Sequence, residues 1–236
     1  MPFFRNIVFT AMFVGIIAGL AVSAMHAFGT TPLILQAETF ESGGETAPVH
    51  THDAAAPADH HHDLEAWSPA DGFERNIYTI AANVLTAIGY ALVLTALMSL
   101  RGAQGGWRDG LLWGLAGFTA VMLAPLIGLP PELPGSPAAA VGARQIWWIG
   151  TVATTAGGIA LLVFKRGEPW AAVLAVALFV APHIIGAPLP PDGEHALAPL
   201  PLERHFIVVA TVTSFVFWVL LGSLSGLVLK RFETAK

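Results

Sequence analysis

The sequence predicts an all-α integral membrane protein, with six transmembrane helices arranged as three helical hairpins inserted in the same direction. Three observations lead there. Hydrophobic residues make up 55% of the 236 residues and charged residues only 11%, against roughly 25% charged in a soluble domain. Six apolar runs approach or exceed the length needed to cross the hydrocarbon core, about 20 helical residues. The ends of alternate runs also repeat. The chain reads as one membrane domain over 1–236, with a long loop over 30–74 inserted between the first two spans.

The runs cover 7–28, 77–100, 111–129, 146–164, 170–189 and 206–229. The first carries a stripe of small residues, Ala11, Gly15, Gly19 and Ser23. Stripes of this kind let helices approach closely, and they recur at Gly110 and Gly114, at Gly150, Thr154 and Gly158, and at Gly222 and Gly226. The first run also has the parts of a cleavable leader: Arg5, an apolar core, and Val22-Ser23-Ala24 as a cleavage-like triplet. Cleavage would leave five spans. Within the following loop, residues 43–59 are rich in Ala, Pro, Gly, Thr and Asp, which cannot bury a core. The third and fifth runs are interrupted by Pro125 and Pro182. Each proline removes a backbone hydrogen bond and frees a carbonyl that must find a partner or face a cavity.

Basic loop residues set the orientation. With both termini on one side, that side holds eight of the 11 basic residues: Arg5, Arg101, Arg108, Lys165, Arg166, Lys230, Arg231 and Lys236. It is therefore expected to be cytoplasmic, in the inner membrane. The other side holds Arg75, Arg144 and Arg204, most of the carboxylates and all nine histidines. Those three arginines, each opening an even-numbered run, are expected to pair with Glu74, Glu132 or Glu203, or to reach the headgroups. Trp107, Trp147, Trp148 and Trp170 fall near the expected interfaces, as an aromatic belt would.

The repeat is read at the run ends. Ala24-Met25-His26-Ala27-Phe28-Gly29, Ala124-Pro125-Leu126-Ile127-Gly128 and Ala181-Pro182-His183-Ile184-Ile185-Gly186 match, and each is followed by prolines. Proline-interrupted segments at corresponding positions point to a transporter's binding site. His183 follows Pro182, and His26 holds the matching place in the first repeat. Both are candidate metal ligands for passage at the helix ends, or ordinary interfacial histidines. Asn83, polar among apolar neighbours, either supplies a carbonyl ligand beside them or bonds a neighbouring helix.

A second constellation lies in the loop. His50, His52, Asp53, Asp59, His60, His61, His62 and Asp63 place five imidazoles and three carboxylates in one short stretch. Neutral imidazole is the commonest metal ligand, so this stretch is a candidate capture site; a plain polar loop is the alternative. Glu38, Glu41 and Glu132, just outside the membrane, could draw cations in. With no cysteine, thiolate sites and disulfides are excluded, and the ligand set suits Co, Ni, Zn or Cu(II). No P-loop, zinc-protease or serine-hydrolase motif occurs. Neither an enzyme nor a nucleotide-driven pump is expected, and the net charge of −5 gives no reason to expect nucleic acid binding.

Several stretches together resemble the CbtA family of cobalt transporter subunits. They are Thr31-Pro32-Leu33-Ile34-Leu35-Gln36-Ala37-Glu38, the His-rich loop, and Trp67-Ser68-Pro69-Ala70-Asp71-Gly72-Phe73-Glu74-Arg75. Others are Ala81-Ala82-Asn83-Val84-Leu85-Thr86, Gly128-Leu129-Pro130-Pro131-Glu132-Leu133-Pro134-Gly135, Arg144-Gln145-Ile146-Trp147-Trp148 and Ala181-Pro182-His183-Ile184-Ile185-Gly186-Ala187-Pro188. The resemblance implies cobalt uptake, a link to cobalamin synthesis, five spans rather than six, and a small single-span partner with histidines of its own, CbtB. The reading is then a membrane component for divalent-metal uptake, with Co(II) as cargo and Ni or Zn as alternatives. The ion is captured by the loop and passed by His26 and His183. Two other readings stay open: a non-transporting component that hands the ion to a partner, and a redox protein with haem or copper on His26 and His183. A homo-oligomer in the bilayer is compatible with all three.

Overall fold

In lipid, backbone amides must be satisfied within the segment, so apolar runs become helices. The structure, a computed structural model, describes residues 2–44, 69–70, 72–102, 105–193 and 195–234. The elements are α1 (Pro2–Phe28), α2 (Thr30–Gly44), α3 (Phe73–Leu100), α4 (Trp107–Phe118), a π-helical turn (Thr119–Leu123), α5 (Ala124–Leu126), α6 (Val141–Phe164), α7 (Pro169–Ile185) and α8 (Leu200–Thr234). No strand occurs among the described residues. The protein is an all-α membrane protein. Five helical stretches are long and apolar enough to span: Phe4–Phe28, Phe73–Leu100, Trp107–Leu126, Val141–Phe164 and Leu200–Phe232.

The one expected span that is not long enough is the fifth, α7, which has only 17 residues. At 1.5 Å per residue that is about 25 Å, short of the roughly 30 Å hydrocarbon core. The apolar pattern ran on to residue 189, but the helix stops at Gly186, which takes φ 84°. Pro188 then bars its resumption.

Three helix pairs carry the packing: α1 with α3, α4 with α8, and α6 with α7. The first two depend on absent side chains. A Cβ on Gly15 would lie 2.5 Å from the Ile88 Cα, and one on Gly19 2.5 Å from the Val84 Cα. Gly110 and Gly114 lie likewise against Gly222 and the Trp218 carbonyl. The Gly106 amide donates to the Gly226 carbonyl at 2.9 Å, tying the start of α4 to the end of α8. The core between these pairs is formed by Ala11, Val14, Ala18, Ala87, Ala91, Leu94, Met98, Phe118, Phe217, Trp218 and Leu221. Tyr90 seals it, its ring 4.9 Å from that of Trp218. The small-residue stripe expected on α6 is different: Gly150 has open space beside it, and only Gly158 meets a neighbour, the Phe179 ring.

Of the three expected hairpins, only the first therefore pairs tightly. Antiparallel α6 and α7 pack on each other across the short 165–168 connection, while α8 packs on α4, α1 and α3. Any repeat is visible instead at the loops. Leu197 N donates to the Gly135 carbonyl at 3.2 Å, joining the two proline-rich connections. Gly135 and Gly193 both turn with positive φ, 73° and 86°.

The segment expected as a loop over 30–74 begins with a helix. After Gly29, whose amide still bonds Met25 O at 2.8 Å, α2 continues from α1. Its Leu33 and Ala37 pack with Leu133, Ala198, Leu202 and Phe206. This satellite core ties α2, the two repeated loops and the first turns of α8 into a cap over the His26 end of the bundle.

Replacing Gly222 by Val should lower the thermal unfolding midpoint in detergent by several degrees, since overpacking costs about 1–3 kcal/mol. Gly150→Val, placed in open space, should leave it unchanged within about 1 °C. Equal effects would contradict the close approach of α4 and α8.

Candidate functional site

On α3, residues four apart share a face, and Arg75, Thr79 and Asn83 descend one such face from the capped end. Arg75 grips Glu38 of α2 through two nitrogens, at 2.6 and 3.4 Å. Thr79 returns its hydroxyl to the Arg75 carbonyl at 2.8 Å. Asn83 crosses to α1, where its Nδ2 lies 3.1 Å from Ser23 Oγ and 3.3 Å from His26 Nδ1. Ser23 Oγ in turn donates to the Gly19 carbonyl at 2.7 Å. Gly19 is also the point of closest approach to Val84, so the seam that lets the helices touch holds the polar trio in register. Below Asn83 the next positions on this face are apolar, and a polar side chain returns at the buried Thr95, whose hydroxyl donates to the Ala91 carbonyl at 2.6 Å. Ala87, Ala91 and Met98 are fully buried against Ala11, Val14 and Ala18.

His26 and Asn83, singled out separately in the sequence, are therefore brought together. Ser23 was read as a small packing residue and as part of a cleavage-like triplet, not as a polar partner. A lone serine in an apolar stripe carries no signal until its partner is known.

His183 stands on a different helix pair. Its ring meets that of Trp147 edge to face at 5.9 Å, and the buried Trp147 Nε1 donates to the Pro182 carbonyl at 3.1 Å. The packing of α7 is on α6, that of α1 on α2, α3 and α8. The two histidines matched by the repeat thus sit apart, and the bis-imidazole redox reading gains no joint site. Trp147, expected in the aromatic belt, is instead a buried clamp between α6 and α7, while Trp107 and Trp170 are half exposed.

The other proline break opens a groove of about 420 Å³ between the π-helical turn and the start of α6, its walls including Met122, Pro125, Glu132, Arg144, Gln145 and Trp148. The π-helical turn directly before Pro125 carries an i→i+5 bond, Ala124 N to Thr119 O, which widens the helix where proline lacks a donor. At the polar end Arg144 pairs with Glu132 at 2.6 Å, as the sequence anticipated. Arg75 pairs with Glu38 rather than Glu74, whose carboxylate accepts from Ala70 N at 3.2 Å. Glu38 and Glu132 are thus neutralised by arginines, and Glu41 is exposed beside Gly135. His195 and His205 are exposed.

The loop cluster, His50, His52, Asp53, Asp59, His60, His61, His62 and Asp63, lies outside the described residues. Among the described residues no three His, Asp or Glu side chains converge as a metal cluster.

Against this geometry, the model of the family described as probable cobalt transporter subunit (CbtA) matches residues 4–230. The chain belongs to this family. No curated protein and no solved structure matches it. In this CbtA family member the matched region takes in both ion pairs, the α1–α3 trio and the Trp147–Pro182 clamp, so the sites described above all belong to the family domain.

Replacing Trp147 by Phe keeps the ring and removes the N–H to Pro182. The expected cost is about 1 kcal/mol, read as a lower unfolding midpoint together with a shifted His183 ring resonance. An unchanged His183 resonance would show that the clamp does not position that histidine.

Proposed function

We propose that the protein is the membrane component of an uptake system for a divalent transition metal, with Co(II) as cargo. The observation that carries this reading is the polar column from Arg75 to the Ser23–Asn83–His26 trio, half-buried along the α1–α3 seam of a cobalt transporter family member. Imidazole nitrogen and amide oxygen suit borderline ions of this kind. The basic residue bias sets the capped end outside. There the His-rich stretch collects the ion, with Glu41 adding negative charge. The trio receives the ion next. His183, on its own helix pair, serves a separate step or a partner's segment. The exposed apolar faces of α6 and α7 suit lipid or the single span of a CbtB-type protein.

Inward movement is favoured by the membrane potential, about 2.3 kcal/mol per charge per 100 mV, hence about 4.6 kcal/mol for a divalent ion. The chain carries no P-loop to supply energy otherwise.

A second reading, delivery of the ion to a partner, draws on the break in the column after Asn83. The apolar packing of Ala87 and Ala91 with α1 separates Asn83 from the next polar groups, the buried hydroxyls of Thr95 on α3 and Thr10 on α1. Radiolabelled cobalt uptake into liposomes holding only this chain separates the two. Accumulation supports autonomous transport, and none supports delivery to a partner.

Replacing His60, His61 and His62 together by Ala should reduce cobalt capture at low concentration by about tenfold while sparing the rate at saturation. Equal loss at both concentrations would refute a capture role. Acidification through about pH 6.5, the ordinary imidazole value, should release loop-bound metal, because protonated imidazole cannot ligate. Retention of the metal after acidification would point to carboxylate ligands instead.

A further inference from the structure

The order of hydrogen bonds around His26 can be worked out from one fixed point. Ser23 Oγ lies 2.7 Å from the Gly19 carbonyl. A carbonyl only accepts, so the single hydroxyl proton of Ser23 is spent there. Toward Asn83, 3.1 Å away, Ser23 can then only accept, and the Asn83 group facing it must be the NH2. That same NH2 lies 3.3 Å from His26 Nδ1 and gives it the second hydrogen. His26 Nδ1 therefore accepts, and the neutral ring carries its proton on Nε2. In this arrangement neither ring nitrogen offers a free lone pair: Nδ1 is held by Asn83 and Nε2 is protonated.

We propose that Ser23 is a positioning residue that holds His26 in a tautomer closed to metal, and that turning over the Asn83 amide opens it. In the open arrangement Ser23 rotates from Gly19 to donate to Asn83 Oδ1. His26 donates Nδ1–H to the same oxygen, and the Nε2 lone pair faces the ion. The proton balance is even: Nε2 gives its proton to water and Nδ1 takes one from water. Both arrangements keep Asn83 hydrogen-bonded to Ser23 and to His26, which makes the trio a two-state element that a cation at Nε2 biases. The Gly19 carbonyl loses only its side-chain partner. The consequence for metal rests on the passage reading above, whereas the tautomer does not.

The test uses the full chain in lipid nanodiscs, at a pH above the ordinary imidazole value of about 6.5. The five loop histidines are replaced by Ala in every sample. 15N-histidine spectra, with His26 assigned by loss of its signals in His26→Gln, report the tautomer, and Co(II) titration reports affinity. The metal-free chain should show Nε2–H. Ser23→Ala removes the anchor and should raise the Nδ1–H population and tighten Co(II) binding about fivefold, the equivalent of one ordinary hydrogen bond. Ser23→Thr, which keeps the hydroxyl, should restore the starting behaviour. Asn83→Asp, which can only accept, should fix Nδ1–H even if Ser23→Ala folds poorly. An Nδ1–H tautomer in the starting chain, or no tautomer change in either Ser23→Ala or Asn83→Asp, would overturn the lock. The expected tautomers with Co(II) affinity indifferent to His26→Gln would sustain the lock and defeat the passage reading instead.

Discussion

Gly15 and Gly19 let α1 lie so close to α3 that a single methyl group on either would meet the backbone of Ile88 or Val84. In lipid there is no hydrophobic force between helices, so such contacts hold a bundle by dispersion over closely matched surfaces. The same device at Gly110, Gly114, Gly222 and Gly226 joins α4 to α8. The polar trio depends on the first seam. Ser23 is one turn from Gly19 and borrows its carbonyl, and Asn83 is one residue before Val84. Separating α1 from α3 by the width of a side chain would put Asn83 out of reach of both Ser23 and His26.

From this constraint follows a division of the molecule. The α1–α3 and α4–α8 pairs form one part around a shared core, closed by Tyr90, Phe217 and Trp218. The α6–α7 pair is held through the π-helical turn and α5, and within itself by Trp147 and Gly158. Each part carries one of the two repeat-matched histidines. A passage using both is therefore not a single channel between α1 and α7, and any relay joins two separate stations. The cap of α2 and the proline-rich loops sits over the His26 end, where Glu38 and Arg75 bind it to α3.

Much of this was legible in the sequence. Long charge-free runs have one stable form in lipid, so the five long helices were readable. The stripes at Gly15, Gly19, Gly110, Gly114, Gly222 and Gly226 announced close approach, whereas the same spacing at Gly150, Thr154 and Gly158 brings only Gly158 against a neighbour. The Arg144–Glu132 pair followed from loop charge. Four features were not legible, each for a physical reason. The first is α2, where Gln36, Glu38, Thr39 and Glu41 interrupt the apolar pattern, so its buried Leu33 and Ala37 do not read as a face. The second is α7, which ends at a glycine whose positive φ a hydropathy profile cannot see. The third is Trp147, which resembles an interfacial tryptophan until the Pro182 carbonyl is found beside it. The fourth is Ser23, whose role exists only in the contact with Asn83, sixty residues away in the chain.

Whether the α1–α3 seam, and not the His-rich stretch alone, holds the ion can be measured directly. X-ray absorption at the cobalt edge, on the Co(II)-loaded chain with its five loop histidines replaced by Ala, reads the ligands of whatever ion remains. Imidazole scattering with oxygen neighbours is expected, lost when His26 is also replaced by Gln. A spectrum unchanged by His26→Gln, or cobalt surrounded by oxygen alone, would contradict a site in the seam.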